Sequence, residues 1–172
     1  MSRRARVAAA LVVMLALLLG GPGRIASASG CLLPPVDTPI TRPFDAPACR
    51  WCAGHRGVNY APGPGTPVRA AAAGTVTFSG VVVDIRYVVV RHADGILATY
   101  GGLESSHLVA GAVVAAGAVV GRSGPELYFG LRTGPDEYID PAPLLGQLVV
   151  PPYLVPTDGT GRRPPPPARL EC

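Results

Sequence analysis

Residues 87–100, with the sequence YVVVRHADGILATY, join two strand-length runs through Asp94-Gly95. An Asp-Gly pair between such runs predicts a β-hairpin, because a type I′ turn needs positive φ at both of its central residues. More runs of this length, partly β-branched and divided by Gly or Pro, lie on either side, and no long window carries a helical stripe. We therefore expect an all-β domain with strands within 68–71, 74–78, 81–83, 87–91, 96–100, 113–114, 119–120 and 127–132.

The first residues have the layout of a secretory signal peptide. Arg3, Arg4 and Arg6 precede an uncharged apolar run at 7–19, and small residues follow at 26–28. A membrane anchor is the alternative, but this run is shorter than the roughly 20 residues that cross a bilayer as a helix. We expect residues 1–28 to be removed and the protein to be secreted or held in the cell envelope.

The rest of the chain divides into three parts. Residues 29–39 are Pro-rich and predict an extended lead-in, and residues 40–146 form the Val- and Gly-rich body. Residues 147–172 carry so many prolines that we expect a Pro-rich tail without a helix or a central strand. The mature length suits one small antiparallel domain with extended Pro-rich termini.

Four cysteines in an exported chain favour disulfides. Three pairings are open; two of the possible bonds are Cys31–Cys172, which would join the two ends, and Cys49–Cys52. Ala28-Ser29-Gly30-Cys31 also resembles a lipidation signal, so contact with a membrane is expected only if Cys31 is lipidated.

The charge of the mature chain argues against nucleic acid as a partner. All fifteen basic residues are arginines, and four of them lie in 1–28, which leaves eleven against eleven acidic residues. Nucleic-acid binding needs a clustered basic face, and the sequence shows none.

The body resembles the lysostaphin/LytM-type peptidoglycan metallopeptidase domain, in particular its short actinobacterial branch. The resemblance covers about residues 40–145 and lies in matched segments that appear in the family's order. These segments are RPFDAP at 42–47, HRGVN at 55–59, GTPVRA at 65–70, GTV at 74–76, VVRHADG at 89–95, LYFGLR at 127–132 and IDP at 139–141.

Active members of that family use zinc to hydrolyse peptide bonds of peptidoglycan. The resemblance implies that zinc is held by a His-x-x-x-Asp motif and by the second His of a His-x-His strand. The first His of that strand, and a His two residues after a Tyr, then handle the water proton and the oxyanion. Zinc with an open coordination position makes bound water acidic and polarises the carbonyl.

Carried onto this sequence, most of the site is substituted. His55 retains the first ligand position, whereas Asn59 replaces the Asp and Tyr128 replaces the ligand His. Glu126 stands at the first His of the strand motif, and Gly102 stands where the His after the Tyr is expected. We therefore expect no confident catalytic residue, no cofactor unless the protein is active with zinc, and a domain that binds peptidoglycan or regulates a wall hydrolase.

Two other metal sites stay open, as do two other functions. Glu126 and Tyr128 share a strand face and could hold zinc with His55, and Cys49-x-x-Cys52-x-x-His55 could supply thiolates in place of a disulfide. The protein could then be a zinc endopeptidase with unconventional ligands, or else a disulfide-stapled interaction module. Trp51 and Tyr60 could stack on a ligand or simply pack.

Overall fold

The computed structural model describes residues 31–149 and 169–171. In this part of the chain the structure is almost entirely β, as predicted, and its one helical element is a single 3₁₀ turn at Ala142–Leu144. No helix among these residues is long and apolar enough to cross a membrane. The predicted signal peptide and most of the Pro-rich tail lie outside the described residues. The strands are β1 Ile40–Arg42, β2 Val58–Tyr60, β3 Pro67–Arg69, β4 Gly74–Val82, β5 Ile85–His92, β6 Leu97–Ser105, β7 Val113–Val114, β8 Val119–Arg132, β9 Tyr138–Ile139, β10 Gln147–Val149 and β11 Arg169–Glu171.

Nine strands form one antiparallel sheet in the order β1-β2-β8-β6-β5-β4-β7, with β3 and β9 also paired to β8. The long strand β8 is the spine of the sheet, because it pairs with β2, β3, β6 and β9. Alternate residues of the central strands face a core of Val, Leu and aromatic side chains, as period-two patterning requires. Its largest fully buried side chains include Tyr100, Phe129, Leu127 and Leu131.

The predicted hairpin at Asp94-Gly95 exists, but its turn is not type I′. Only Gly95 has positive φ, at 88°. The Gly95 amide donates to the His92 carbonyl at 3.0 Å, and the His92 amide donates to the Ile96 carbonyl at 2.9 Å. These bonds close a three-residue loop with a left-handed glycine, which is another common hairpin.

Positive φ at both central residues occurs instead between β4 and β5. Val83 and Asp84 have φ of 45° and 68°, and the flanking Val82 and Ile85 are paired. Val83 is 88% exposed, so packing against the core does not stabilise its positive φ. Val83 hides this turn in the sequence, because a β-branched residue disfavours left-handed backbone, although Asp84 tolerates it.

The lead-in packs against the domain. The Leu33 amide donates to the Ala71 carbonyl and the Arg69 amide to the Pro35 carbonyl, both at 2.9 Å. Pro35 is fully buried, Val36 is 4% exposed, and Leu32 forms a parallel bridge with Leu145. These residues are therefore an integral part of the fold.

The segment predicted as tail contributes a second, two-stranded antiparallel sheet. Strand β10 begins where the tail was expected to begin, and it pairs with β11 near the last residues of the chain. Neither strand joins the central sheet.

Candidate functional site

His55, the retained ligand residue, lies at the end of the loop that precedes β2. An isolated bridge to Asp45 fixes its backbone, with the His55 amide donating to the Asp45 carbonyl at 2.7 Å. The ring is 8% exposed, and its Nδ1 lies 2.7 Å from the Pro43 carbonyl oxygen. Because a carbonyl only accepts, Nδ1 carries a proton and Nε2 faces the site.

Asn59 joins His55 to Glu126. Its Oδ1 lies 2.9 Å from His55 Nε2, and its Nδ2 donates to Glu126 Oε1 at 2.7 Å. The Asn59 amide therefore bridges the His55 ring and the Glu126 carboxyl group, and the donor and acceptor roles within the bridge depend on the His55 tautomer and the orientation of the amide.

Tyr128 lies beside His55 on the same strand face as Glu126. The two rings meet edge to face at 5.8 Å, and the Tyr128 hydroxyl donates to the Arg56 carbonyl at 2.8 Å. Burial raises the pKa of Tyr128 to about 12, with nearby Tyr138 and Tyr87 adding to the effect. At neutral pH Tyr128 is therefore a protonated phenol.

Gly102 cannot carry a side chain in this backbone without strain. Its φ is 76°, and a Cβ there would press against the Glu126 carbonyl oxygen. The cause is a register shift between β6 and β8, where Gly101 pairs with Tyr128 but Leu103 pairs with Ser123. The backbone of this chain at position 102 therefore excludes the side chain that the family's motif has there.

The donors at the site do not fit zinc. Structural and catalytic zinc sites use imidazole, thiolate or carboxylate ligands. His55 Nε2 is hydrogen-bonded to a neutral amide, and the Tyr128 hydroxyl is protonated and donates to a backbone carbonyl. Within the described residues, no group of three or more His, Cys, Asp or Glu side chains is placed to hold a metal ion.

Cys49 and Cys52 form a disulfide, so these thiols are not free to act with His55. Cys31 is also disulfide-bonded, whereas Cys172, its partner in one predicted pairing, lies outside the described residues. His107 is exposed, and His92 is buried with Nδ1 3.0 Å from the Ala73 carbonyl. Neither histidine joins His55.

The aromatic residues beside the site divide clearly. Tyr60 is 2% exposed and belongs to the core, whereas Trp51 is 86% exposed and packs against the Arg50 guanidinium. Tyr87, which the sequence did not indicate, lies over Gly101 on the neighbouring strand. To find Tyr87 from the sequence, one would have had to know which face of β5 it lies on and that it pairs with Gly101 of β6.

The five family positions and Tyr87 line an open groove of about 680 Å³ on the face of the sheet. Glu126 and Tyr128 lie on β8, Gly102 lies on β6, and the β4–β5 turn forms one wall. His55 and Asn59 close the groove from the side of β2. The structure therefore brings all five predicted positions together.

The fold and the arrangement of the five positions define a lysostaphin-type metallopeptidase domain. Residues 53–141 match Peptidase family M23, and the chain belongs to that family.

Comparison with known proteins agrees with this assignment. An uncharacterized protein of Mycobacterium tuberculosis is 33% identical over 135 residues, which cover 72% of this chain and 53% of that protein. The chain thus spans about half the length of that relative. The DD-carboxypeptidase/endopeptidase Mpg of Neisseria meningitidis is 35% identical over 109 residues, 58% of this chain and 25% of Mpg. Among solved structures, the catalytic domain of lysostaphin from Staphylococcus simulans has a TM-score of 0.55 at 22% identity, over 62% of this chain and 90% of that domain.

Proposed function

We propose that this protein is an exported, non-hydrolytic member of family M23 that binds peptidoglycan peptide in its groove. The observation that carries the proposal is the hydrogen-bonded set of His55, Asn59 and Glu126 at the place where active relatives hold zinc. Hydrolysis would need a metal-bound water, a base and donors aimed at the oxyanion. Asn59 and Tyr128 remove the metal's ligands, and Gly102 removes a donor.

Two features support peptide binding. The groove is open and floored by strands, so an extended peptide can lie along it. The Neisseria relative is named as a carboxypeptidase and endopeptidase, which indicates that peptides are the ligand class of this fold. Binding in the wall, or regulation of an active wall hydrolase, needs only this groove.

A zinc endopeptidase with unconventional ligands is the second candidate. The observation in its favour is that only the Asn59 amide separates the His55 ring from the Glu126 carboxylate. A shift of Asn59 would expose both groups to a shared ion. Tyr128 does not assist, because its hydroxyl is held by the Arg56 carbonyl.

Three measurements on the purified mature domain test the proposal. We expect much less than one zinc per chain by elemental analysis, co-sedimentation with purified sacculi, and no release of muropeptides with or without added zinc. His55→Ala is the control, since any zinc bound at this site should disappear with it. Near-stoichiometric zinc lost in that variant, or chelator-sensitive cleavage by the unaltered domain, would establish the second candidate instead.

Restoring ligands provides a separate test. The triple variant Asn59→Asp, Glu126→His, Tyr128→His supplies a carboxylate and two imidazoles beside His55, and we expect it to bind zinc. Single restorations should recover no hydrolysis, because groups that act as one catalytic unit are strongly non-additive. Cleavage restored by Tyr128→His alone would contradict this.

A further inference from the structure

Two arginines face the same side of the sheet in one row across three strands. Arg91 on β5 pairs with Leu97 on β6, and Leu97 pairs with Arg132 on β8. Directly paired residues lie on the same face, and neighbouring strands are about 4.8 Å apart, so the two Cα atoms are roughly 10 Å apart. Two long cationic side chains therefore flank one leucine.

A hollow of about 440 Å³ lies at this row, bounded by Gly95 of the β5–β6 turn and by Gly134 and Pro135 after β8. Arg91, Leu97 and Arg132 also line a wider hollow of about 880 Å³, which extends along the sheet to Tyr128. Tyr128 belongs to the groove described above as well. The groove and the wider hollow adjoin at Tyr87 and Tyr128, and together they are called the depression here, with His55 at one end and the arginine pair at the other.

The two guanidinium groups have no ion pair or side-chain hydrogen bond in the described part of the chain, where the one ion pair joins Arg50 to Asp136. The nearby acidic groups have other partners. Asp94 accepts from the Ile96 amide, and Glu137 accepts from the Thr133 hydroxyl. Both carboxylates keep their negative charge, but neither forms an ion pair with Arg91 or Arg132, so both guanidinium groups are open to an incoming anion.

The floor between the two ends is flat and aromatic. The Tyr87 ring lies over Gly101, and the Tyr128 ring lies over Gly57 and Gly130. Rings laid on glycines leave room for an extended backbone above them. A ligand that fits is elongated along most of its length and anionic at one end.

We propose that Arg91 and Arg132 form a carboxylate-binding subsite, which takes the free carboxyl terminus of a peptide whose backbone lies over Tyr128 toward His55. The planar guanidinium fork matches a carboxylate through paired hydrogen bonds. The His55 end of the depression is lined by three carboxylates, those of Asp84, Glu104 and Glu126, against the one arginine Arg86. A phosphate polymer would meet negative charge there, whereas a peptide with a single terminal carboxylate would not, so a peptide is favoured. This inference rests on the proposed function and specifies the end of the peptide that is recognised.

The test compares two probes on the whole mature domain by NMR titration: the peptide Gly-Gly-Gly-Ala with a free carboxyl terminus, and the same peptide as its carboxyl-terminal amide. We expect the free acid to shift the Leu97 and Gly95 amide signals and the amide to bind at least about tenfold more weakly, as loss of a charged hydrogen-bonding partner implies. Equal affinity of the two probes for the wild-type protein would overturn the proposal, and this comparison needs no variant.

The double variant Arg91→Gln, Arg132→Gln should bind the free-acid peptide only as weakly as the wild-type protein binds the peptide amide. Arg69→Gln, which alters an exposed arginine on β3, is the matched control and should leave binding unchanged. Inorganic phosphate that binds as tightly as the free acid, at the same signals, would show an anion site without peptide recognition and would refute the inference. Sedimentation with sacculi tests the proposed function separately: sacculus binding with equal affinity for the two probes defeats only the subsite.

Discussion

At the scale of single residues, the changes at the site depend on one another. The Asn59 amide is hydrogen-bonded to both His55 and Glu126. The β6–β8 register that places Glu126 also leaves no room for a side chain at Gly102. If one of these residues is changed back to the family's residue, the side chain that was hydrogen-bonded to it loses its partner. The sequence showed which residues were replaced, but it could not show that Gly102 has positive φ and lies against the Glu126 carbonyl.

Gly102→Ala should lower the free energy of unfolding by at least about 2 kcal/mol more than Gly63→Ala. Both glycines have positive φ, at 76° and 85°, but a Cβ at Gly63 meets nothing within 4 Å. Gly63→Ala therefore isolates the cost of the left-handed backbone, about 1–2 kcal/mol. Denaturant unfolding measures both variants, and equal losses would mean that the Glu126 carbonyl does not restrict position 102.

Tyr128 should ionise late in a spectrophotometric titration. Burial raises its pKa to about 12, so the folded state keeps the phenol proton longer than the unfolded state does. The stability that this group contributes is complete below pH of about 10 and is lost as the pH rises toward 12. Subtracting the titration curve of the Tyr128→Phe variant from that of the wild-type protein isolates the ionisation of Tyr128. A midpoint near 10 in that curve would show that the hydroxyl is freely solvated.

At the scale of strands and turns, the sequence predicted the existence of strands better than their boundaries and the turns between them. The runs predicted at 74–78 and 81–83 merge into the one strand β4, because Ser79 and Gly80 between them also pair with β5, and only Val83 falls outside it, in the turn. Strand β2 was not predicted, since its three residues are too few to show alternation and include an Asn. Its burial depends on pairing with β8, a contact that is distant in sequence.

Val83→Asn combined with Asp84→Gly should raise the free energy of unfolding by about 1 kcal/mol or more. Both residues have positive φ, which Asn-Gly adopts at much lower cost in a two-residue hairpin. Val113→Asn is the matched control, because Val113 is 83% exposed but has ordinary strand backbone. That control should be neutral or slightly destabilising. A gain no larger than the control's would show that the turn stores no strain.

At the scale of the whole molecule, the lead-in belongs to the core. Val36→Ala should lower the free energy of unfolding by about 2 kcal/mol, since it removes two buried carbons and leaves a cavity. Val113→Ala serves as the exposed control. A loss at Val36 no larger than at Val113 would show that the lead-in detaches from the domain in solution.

The candidate site was largely predictable because its five positions could be read from family motifs in order. The arginine pair was not, because Arg91 and Arg132 are 41 positions apart and meet only through the register of Leu97 with each of them. Cross-strand register depends on all strands together, and single runs do not encode it. The sequence therefore identified the site residues that belong to family motifs, but not the arginines that only strand pairing brings together.

The bridge between Leu32 and Leu145 has a mechanical consequence. The polypeptide enters and leaves the β body at two points that lie side by side, and the Gly146 amide donates to the Leu32 carbonyl at 2.9 Å. A tension applied between these points acts first on that short bridge. The loop that carries His55 and the strand that carries Glu126 and Tyr128 lie outside the loaded path, so the groove keeps its shape under such a tension.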